Sequence, residues 1–214
     1  MHRIELAVEK APHFIGAWQM DNPAICDGII EFFERHAALQ RTGATGAGVD
    51  TAIKKSTDIT VKPRDLQQAS HAILNDYMQE LNACYQDYLS QWPFLANMLK
   101  ESDVGDFNIQ RYYPSEHFAA THSERTSLGS AHRVLVWMTY LNDVEHGGQT
   151  RFDYFGLEVK PERGKTLIWP AEWTHAHSGK VVSAGTKYII TGWMHFAPHA
   201  TAAASAAPAT GAAP

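Results

Sequence analysis

The chain has 214 residues, 44 % hydrophobic and 11 % aromatic, enough for one domain with a sizeable core and a small helical addition. Its formal net charge of -5 gives no basic footprint, which sets aside general nucleic-acid binding. No apolar run approaches the length of a membrane span, and Met1–Glu5 lacks the apolar centre of a signal peptide, so the expectation is a cytoplasmic protein with no membrane partner. Cys26 and Cys84 stand far apart and match no metal or redox spacing, so two reduced thiols are expected.

Ile4–Val8 alternates weakly and reads as a first strand. Asp21-Asn22-Pro23 is a helix start, a capping side chain followed by proline in the first turn. Ile25, Ile29, Phe32 and Phe33 then fall on one helical face, and the helix is expected to run to about Gln40. The stretch from Thr42 to Val49 carries Gly43, Gly46 and Gly48 and reads as a loop; no Gly-Lys-Ser/Thr follows, so it is not a phosphate loop. A short strand is expected from Ser56 to Val61. Pro63 opens a second helix whose stripe of Leu66, Ile73, Tyr77, Leu81 and Tyr88 reaches Gln91, and Pro93 ends it.

From Phe107 the period shortens. Strands are expected at Phe107–Tyr112, Val134–Leu141, Leu157–Val159, Thr166–Trp169 and Lys187–Phe196, separated by turn signals such as Tyr113-Pro114-Ser115 and His146-Gly147-Gly148. Helices followed by a meander of strands suggest a β-sandwich with helices on one face. The Ala/Pro/Thr-rich tail is low in complexity and expected to be disordered.

The chemistry-bearing stretch is Thr121-His122-Ser123-Glu124. In a strand, residues i and i+2 share a face, so His122 and Glu124 aim at one point. A third ligand from His175 or His177 makes two imidazoles and one carboxylate around a metal, with other coordination positions open, a set suited to non-haem Fe(II) and oxygen chemistry. His-X-Glu alone is a common coincidence in a chain with 12 histidines. The later run Lys187–Trp193 adds weight. As a strand it places Lys187, Ile189, Thr191 and Trp193 on one face, and an inward lysine needs a partner that an anionic ligand would supply.

The ordered set Ile109–Tyr112, Thr121–Glu124, Tyr140–Val144, Gly147–Phe152, Val159–Pro161, Gly164–Pro170, Trp173–Gly179 and Lys187–Trp193 resembles the Fe(II)/2-oxoglutarate dioxygenases, in particular the prolyl 4-hydroxylase-like group with bacterial and phage members. Each segment is weak; the series in this order, over roughly residues 107–196, is specific. The resemblance implies an α+β fold: a double-stranded β-helix, or jelly roll, with N-terminal helices packed on one sheet. It implies metal ligands at His122, Glu124 and His177. His177 is preferred to His175 because it precedes a small residue and Gly, with a basic residue ten positions on. His175 is left as a pocket or supporting residue. Lys187 falls where the family pairs the distal carboxylate of 2-oxoglutarate. Tyr112 and Tyr140 fall where relatives present a hydroxyl to the same cosubstrate, Thr191 is a further candidate hydroxyl, and Trp193 would pack against the pocket. Glu124 in place of the commoner Asp, or of a small residue, argues for hydroxylation and against halogenation.

The expected organisation is supporting elements over 1–106, the jelly-roll core over 107–199 and the tail over 200–214, the first two forming one domain. The expected activity uses Fe(II), 2-oxoglutarate and O2, with ascorbate as an auxiliary reductant, to hydroxylate an unactivated C–H bond and release succinate and CO2. A prolyl residue in a peptide or protein is the favoured substrate by resemblance. Free amino acids or other small molecules are the alternative, and a metal-holding jelly-roll sensor without turnover is a reading from another class. A zinc hydrolase on the same ligands would leave Lys187 unexplained. Arg125, Arg133 and the Gly43–Gly48 loop are candidates to meet substrate, while His117, His132, His146 and His195 default to surface or core. The N-terminal helices offer a surface for homodimerisation.

Overall fold

The apolar run Val134-Leu135-Val136-Trp137-Met138 is buried throughout, as a strand covered on both faces must be. In the computed structural model, which describes residues 10–197, it forms the strand Arg133–Tyr140 near the centre of the larger of the two main antiparallel sheets, a third being the two-stranded pair of His146–Gly147 with Val182–Ala184. The expectations for Ile4–Val8 and for the tail at 200–214 lie outside the described residues. Across the larger sheet the order is Gly16–Gln19, Lys165–Pro170, Arg133–Tyr140, Lys187–Phe196, Phe107–Tyr112, Thr57–Val61 and Arg41–Thr42. The smaller sheet runs Leu157–Val159, Thr150–Phe152, His177–Gly179, His117–His122 and Lys54–Lys55. This is a double-stranded β-helix with helices on the outside of the larger sheet.

Alternation along Arg133–Tyr140 builds two cores. Leu135 and Trp137 face the helices, where they meet Phe33, Leu74, Tyr77 and Phe107. Val136, Met138 and Tyr140 face the space between the sheets with Phe152, Leu167, Trp169 and Ile189. The tall strand is thus shared by a structural core and by the wall of a cavity between the sheets.

Helix α1 spans Ala24–Arg35 and buries Ile25, Cys26, Ile29, Phe32 and Phe33. It stops short of Gln40 because the His36 backbone and ring Nδ1 both bond the Phe32 carbonyl, at 3.2 and 2.7 Å, and only a 3-10 turn, Ala37–Leu39, follows. Helix α2 spans Ala72–Gln91, later than its expected start at Pro63. Two 3-10 turns, Pro63–Gln67 and Ala69–His71, come first, broken by an extended Gln68. Pro93 does not close into a loop; it starts the short helix Pro93–Met98, since proline at a first helical position lacks only an N–H that would be unpaired there. Tyr77 is tied to the sheet by a chain of hydroxyls, Tyr77–Thr139 at 2.8 Å and Thr139–Thr166 at 2.7 Å.

Candidate metal and cosubstrate site

The strand His117–His122 ends at His122, so Glu124 lies just past it in a bend and not on the strand itself. The bend still brings the carboxylate back. The Glu124 backbone N–H donates to the Ala171 carbonyl at 3.2 Å, and Arg133 Nη1 donates to the Glu124 carbonyl at 3.1 Å. His177 opens the neighbouring strand and pairs directly with His122 in register. One ligand atom each from His122, Glu124 and His177 lies within 4.8 Å of the others. Glu124 Oε1 is 3.4 Å from His122 Nε2 and 3.5 Å from His177 Nε2.

The tautomers follow from the other ring nitrogen. His122 Nδ1 faces the Ala120 carbonyl and His177 Nδ1 the His175 carbonyl, both at 2.9 Å. A carbonyl can only accept, so each Nδ1 carries the proton and each Nε2 presents a lone pair. Two lone pairs and a carboxylate oxygen facing one another need a cation between them. That is the donor set of a metal centre with its outer partners already in place. The second carboxylate oxygen is held away from the centre: Trp193 Nε1 donates to Glu124 Oε2 at 3.0 Å, with Arg133 Nη1 at 3.5 Å. Burial alone would raise the Glu124 carboxyl, but positive charge placed where the two Nε2 atoms face it, protons on both rings or a metal ion in their stead, outweighs burial and holds the group well below the usual carboxylate range.

The trio opens onto a cavity of about 860 Å³, walled by Tyr112, Val136, Met138, Trp169, Ile189 and Thr191 among others. Lys187 lines its depth and is only 4 % exposed. Its Nζ donates to the Gly148 carbonyl at 2.7 Å and sits 5.3 and 5.4 Å from the ring centres of Tyr112 and Tyr140. Among the described residues no carboxylate pairs with it. Burial therefore lowers its pKa to about 7. Gly148 makes the approach feasible: its φ is +72°, and a Cβ there would stand 3.2 Å from Lys187 Cδ.

The remaining candidates divide. Tyr112 lines the cavity, but its hydroxyl donates to Gln110 Oε1 at 2.7 Å. Tyr140 offers Lys187 its ring; its hydroxyl bonds Thr150 Oγ1 at 2.6 Å and the Val159 carbonyl at 3.2 Å, so it is engaged inside the wall. Thr191 lines the cavity and donates to the Trp137 carbonyl at 2.8 Å. His175 does not belong to the pocket. It ends the 3-10 turn Trp173–His175, where its Nε2 meets the His13 carbonyl at 2.8 Å. The two histidines, only two positions apart, belong to different elements, the 3-10 turn Trp173–His175 and the strand His177–Gly179.

Two features escaped the sequence. Arg133 lies with its guanidinium carbon 3.7 Å from the Trp193 ring centre, bracing the indole that holds Glu124. A buried polar group also backs Tyr112: Lys54 Nζ donates to Asp58 Oδ2 at 2.6 Å, Ser56 Oγ to Asp58 Oδ1 at 2.7 Å, and Gln110 Nε2 to Asp58 Oδ2 at 3.3 Å. The only signal for the second was Gln110 sharing a strand face with Tyr112; nothing marked Lys54.

Residues 107–195 match the model of a family described as the 2OG-Fe(II) oxygenase superfamily. Prolyl 4-hydroxylase subunit alpha-1 of Gallus gallus is 29 % identical over 75 residues, covering 32 % of this chain and 14 % of that protein, so the match spans a small part of its length. A prolyl-4-hydroxylase from Pseudomonas putida has a similar structure, with a TM-score of 0.67, 16 % identity, and 86 % and 93 % of the two chains covered. A prolyl hydroxylase from Trichoplax adhaerens, solved with a hypoxia inducible factor peptide fragment, aligns at a TM-score of 0.66 and 14 % identity, over 86 % of this chain and 84 % of that one.

Proposed function

We propose, from the premise that residues 107–195 belong to the 2OG-Fe(II) oxygenase superfamily and its prolyl 4-hydroxylase-like group, that the protein hydroxylates a prolyl residue in a peptide or protein at the expense of 2-oxoglutarate. The observation that carries this reading is one cavity holding both a converging His122–Glu124–His177 trio and a buried ammonium with no carboxylate of its own among the described residues. The trio fits Fe(II), and Lys187 fits the distal carboxylate of 2-oxoglutarate.

When bound, iron and 2-oxoglutarate supply the activation of O2 that turns a C–H bond into C–OH with release of succinate and CO2. The chain supplies order. The Ala120 and His175 carbonyls fix both imidazole tautomers, so no proton has to leave a ring before it binds metal. Trp193 and Arg133 occupy Glu124 Oε2, which leaves Oε1 turned to the centre. Lys187 gains its missing partner when the dianion enters, and above about pH 7 it takes up a proton at Nζ as it does so. Trp169, Val136, Met138 and Ile189 keep the space between the sheets apolar, limiting access of water to the reacting atoms. A peptide substrate is favoured by group membership and by the peptide seated on the Trichoplax enzyme.

The test is anaerobic loading with Fe(II) and 2-oxoglutarate, followed by O2 and a panel of proline-containing peptides. The expected results are the visible charge-transfer band of an iron–keto-acid chelate, succinate, and peptides one oxygen atom heavier. A band and succinate with oxidation of free amino acids alone would move the substrate to small molecules. No succinate with any substrate would remove the oxygenase reading.

A further inference from the structure

We infer that a line of exposed aromatic rings beside the cavity docks a proline-rich arm of the peptide substrate, outside the residue that reacts. This deepens the function proposed above and rests on it. Trp173 and Tyr154 are each 66 % exposed, and their rings meet edge to face with centroids 6.0 Å apart. The line continues through Phe155, whose ring centre lies 6.3 Å from that of His13, and then through Phe14, 4.7 Å from Trp92. Phe155 and Phe14 are themselves exposed. Aromatic side chains gathered at the surface in this way mark a place where another molecule binds.

The near end of the line is built onto the segment that carries the metal ligands. Ala171, two residues before Trp173, accepts from the Glu124 N–H at 3.2 Å, and Glu172 pairs with Arg125. Asp153, next to Tyr154, accepts from Thr121 Oγ1 at 2.7 Å. Thr121, Ser123 and Glu124 all line the cavity. Trp173 is therefore at most about 7 Å of chain from a residue that touches Glu124. The far end is fixed as well: the His13 carbonyl meets His175 Nε2 at 2.8 Å, and the Phe14 carbonyl accepts from the Tyr88 hydroxyl at 2.7 Å. The rings are held in place before any ligand arrives, so little ordering is left for binding to impose.

Their chemistry selects the partner. The charges beside the near end are already matched, Arg125 with Glu172 and Arg151 with Asp153, the latter at 3.0 Å. Nothing there favours an acidic or a basic peptide. A proline-rich segment is neutral and holds a polyproline II helix without internal hydrogen bonds. Its pyrrolidine rings pack on aromatic faces, and its stiffness keeps the entropy cost of docking low. One face of that helix recurs about every 9 Å. The contacts along the line measure 4.7–6.3 Å, so each turn of the helix meets a ring. A peptide with one proline at the trio and further prolines along its arm would engage the cavity and the line together.

The test is binding, without turnover. The full chain is loaded anaerobically with Fe(II) and 2-oxoglutarate and titrated calorimetrically with decaproline and with an alanine decapeptide carrying one central proline. Decaproline should bind more tightly. Trp173→Ala should weaken decaproline roughly tenfold and the single-proline peptide by less than about twofold, while Trp173→Tyr keeps most of the affinity. The affinities for Fe(II) and 2-oxoglutarate and the melting temperature should not move, because Trp173 is exposed and outside the trio. Equal binding of the two peptides by wild type, or a Trp173→Ala variant within about twofold of wild type for decaproline, would overturn the inference. So would a wild-type dimer in sedimentation that Trp173→Ala dissolves, since the rings would then meet a second copy of this chain. Admitting O2 separates the inference from its premise. Succinate and an oxidised single-proline peptide, with decaproline binding indifferent to Trp173, remove the docking line and leave the hydroxylase reading intact. Decaproline bound through Trp173 with no succinate from either peptide removes the hydroxylase reading and the substrate role of the line together.

Discussion

Replacing Lys187 by Met should make the empty protein more stable and nearly abolish cosubstrate binding. The ammonium is almost fully buried, and burial lowers its pKa from 10.5 to about 7. At 1.36 kcal/mol per unit, holding that charge in the fold costs up to about 5 kcal/mol. Because the folded group prefers to be neutral, the cost is complete below pH 7, where folded and unfolded chains are both charged. It fades between pH 7 and 10.5, where only the unfolded chain keeps the proton. Methionine removes the cost but leaves the Gly148 carbonyl without its donor, a loss of about 1–3 kcal/mol. A net gain of about 2 kcal/mol at pH 6 corresponds to ~4–8 °C in the melting temperature of the protein without cofactors. The gain should vanish by about pH 10. Binding should move the other way: deleting one member of a buried charge pair costs about 2–5 kcal/mol, or roughly 30-fold to several-thousand-fold in the 2-oxoglutarate dissociation constant. Scanning calorimetry at pH 6 and 10, with isothermal titration under anaerobic metal, reads both effects. A variant that binds 2-oxoglutarate within about threefold of wild type, or that melts lower at pH 6, would refute the argument that this cation waits for a carboxylate.

Three other substitutions probe the site. His175→Ala should lower the melting temperature through the lost bond to the His13 carbonyl, about 1–3 kcal/mol, yet leave iron affinity unchanged; abolished iron binding would return His175 to the ligand set. Trp193→Phe keeps a ring under Arg133 but removes the donor to Glu124 Oε2, so anaerobic titration should show iron affinity down about 10–100-fold with little change in melting. Asp58→Ala strands the buried Lys54 ammonium and should destabilise the fold by about 3–5 kcal/mol in denaturant titration, with much of the loss recovered in Asp58→Ala combined with Lys54→Met.

Alternation and turn chemistry were strong enough to place Phe107–Tyr112, Leu157–Val159 and Lys187–Phe196 at their observed bounds. Strands such as Thr150–Phe152 and His177–Gly179 are three residues long, too short for a period of two to show, and they exist because neighbours on both sides supply their ladder bonds. The late start of α2 was hidden for another reason. Leu66 and Ile73 keep helical spacing through two 3-10 turns, so the apolar pattern runs on where the hydrogen-bond pattern breaks. At the site, residue types and spacing pointed to His122, Glu124 and Lys187. They could not separate His175 from His177, because that depends on a 3-10 turn ending between them. They could not assign the tyrosine hydroxyls either, because Gln110 and Thr150 reach them from elsewhere in the fold.

The smaller sheet is made of strands of two to six residues, whereas Lys187–Phe196 in the larger one has ten. Its two central strands meet at the His122–His177 pair, only one other residue pair is in register between them, and the alignment slips between the two. An ion gripped by both imidazoles and by Glu124, itself anchored to Trp193 across the interior, would act as a clasp joining the two layers. Loss of that clasp should release the amides of His117–His122 and His177–Gly179 to solvent exchange first, while those of Arg133–Tyr140 stay protected. The protein would then open like a hinged shell, along the side that holds the chemistry.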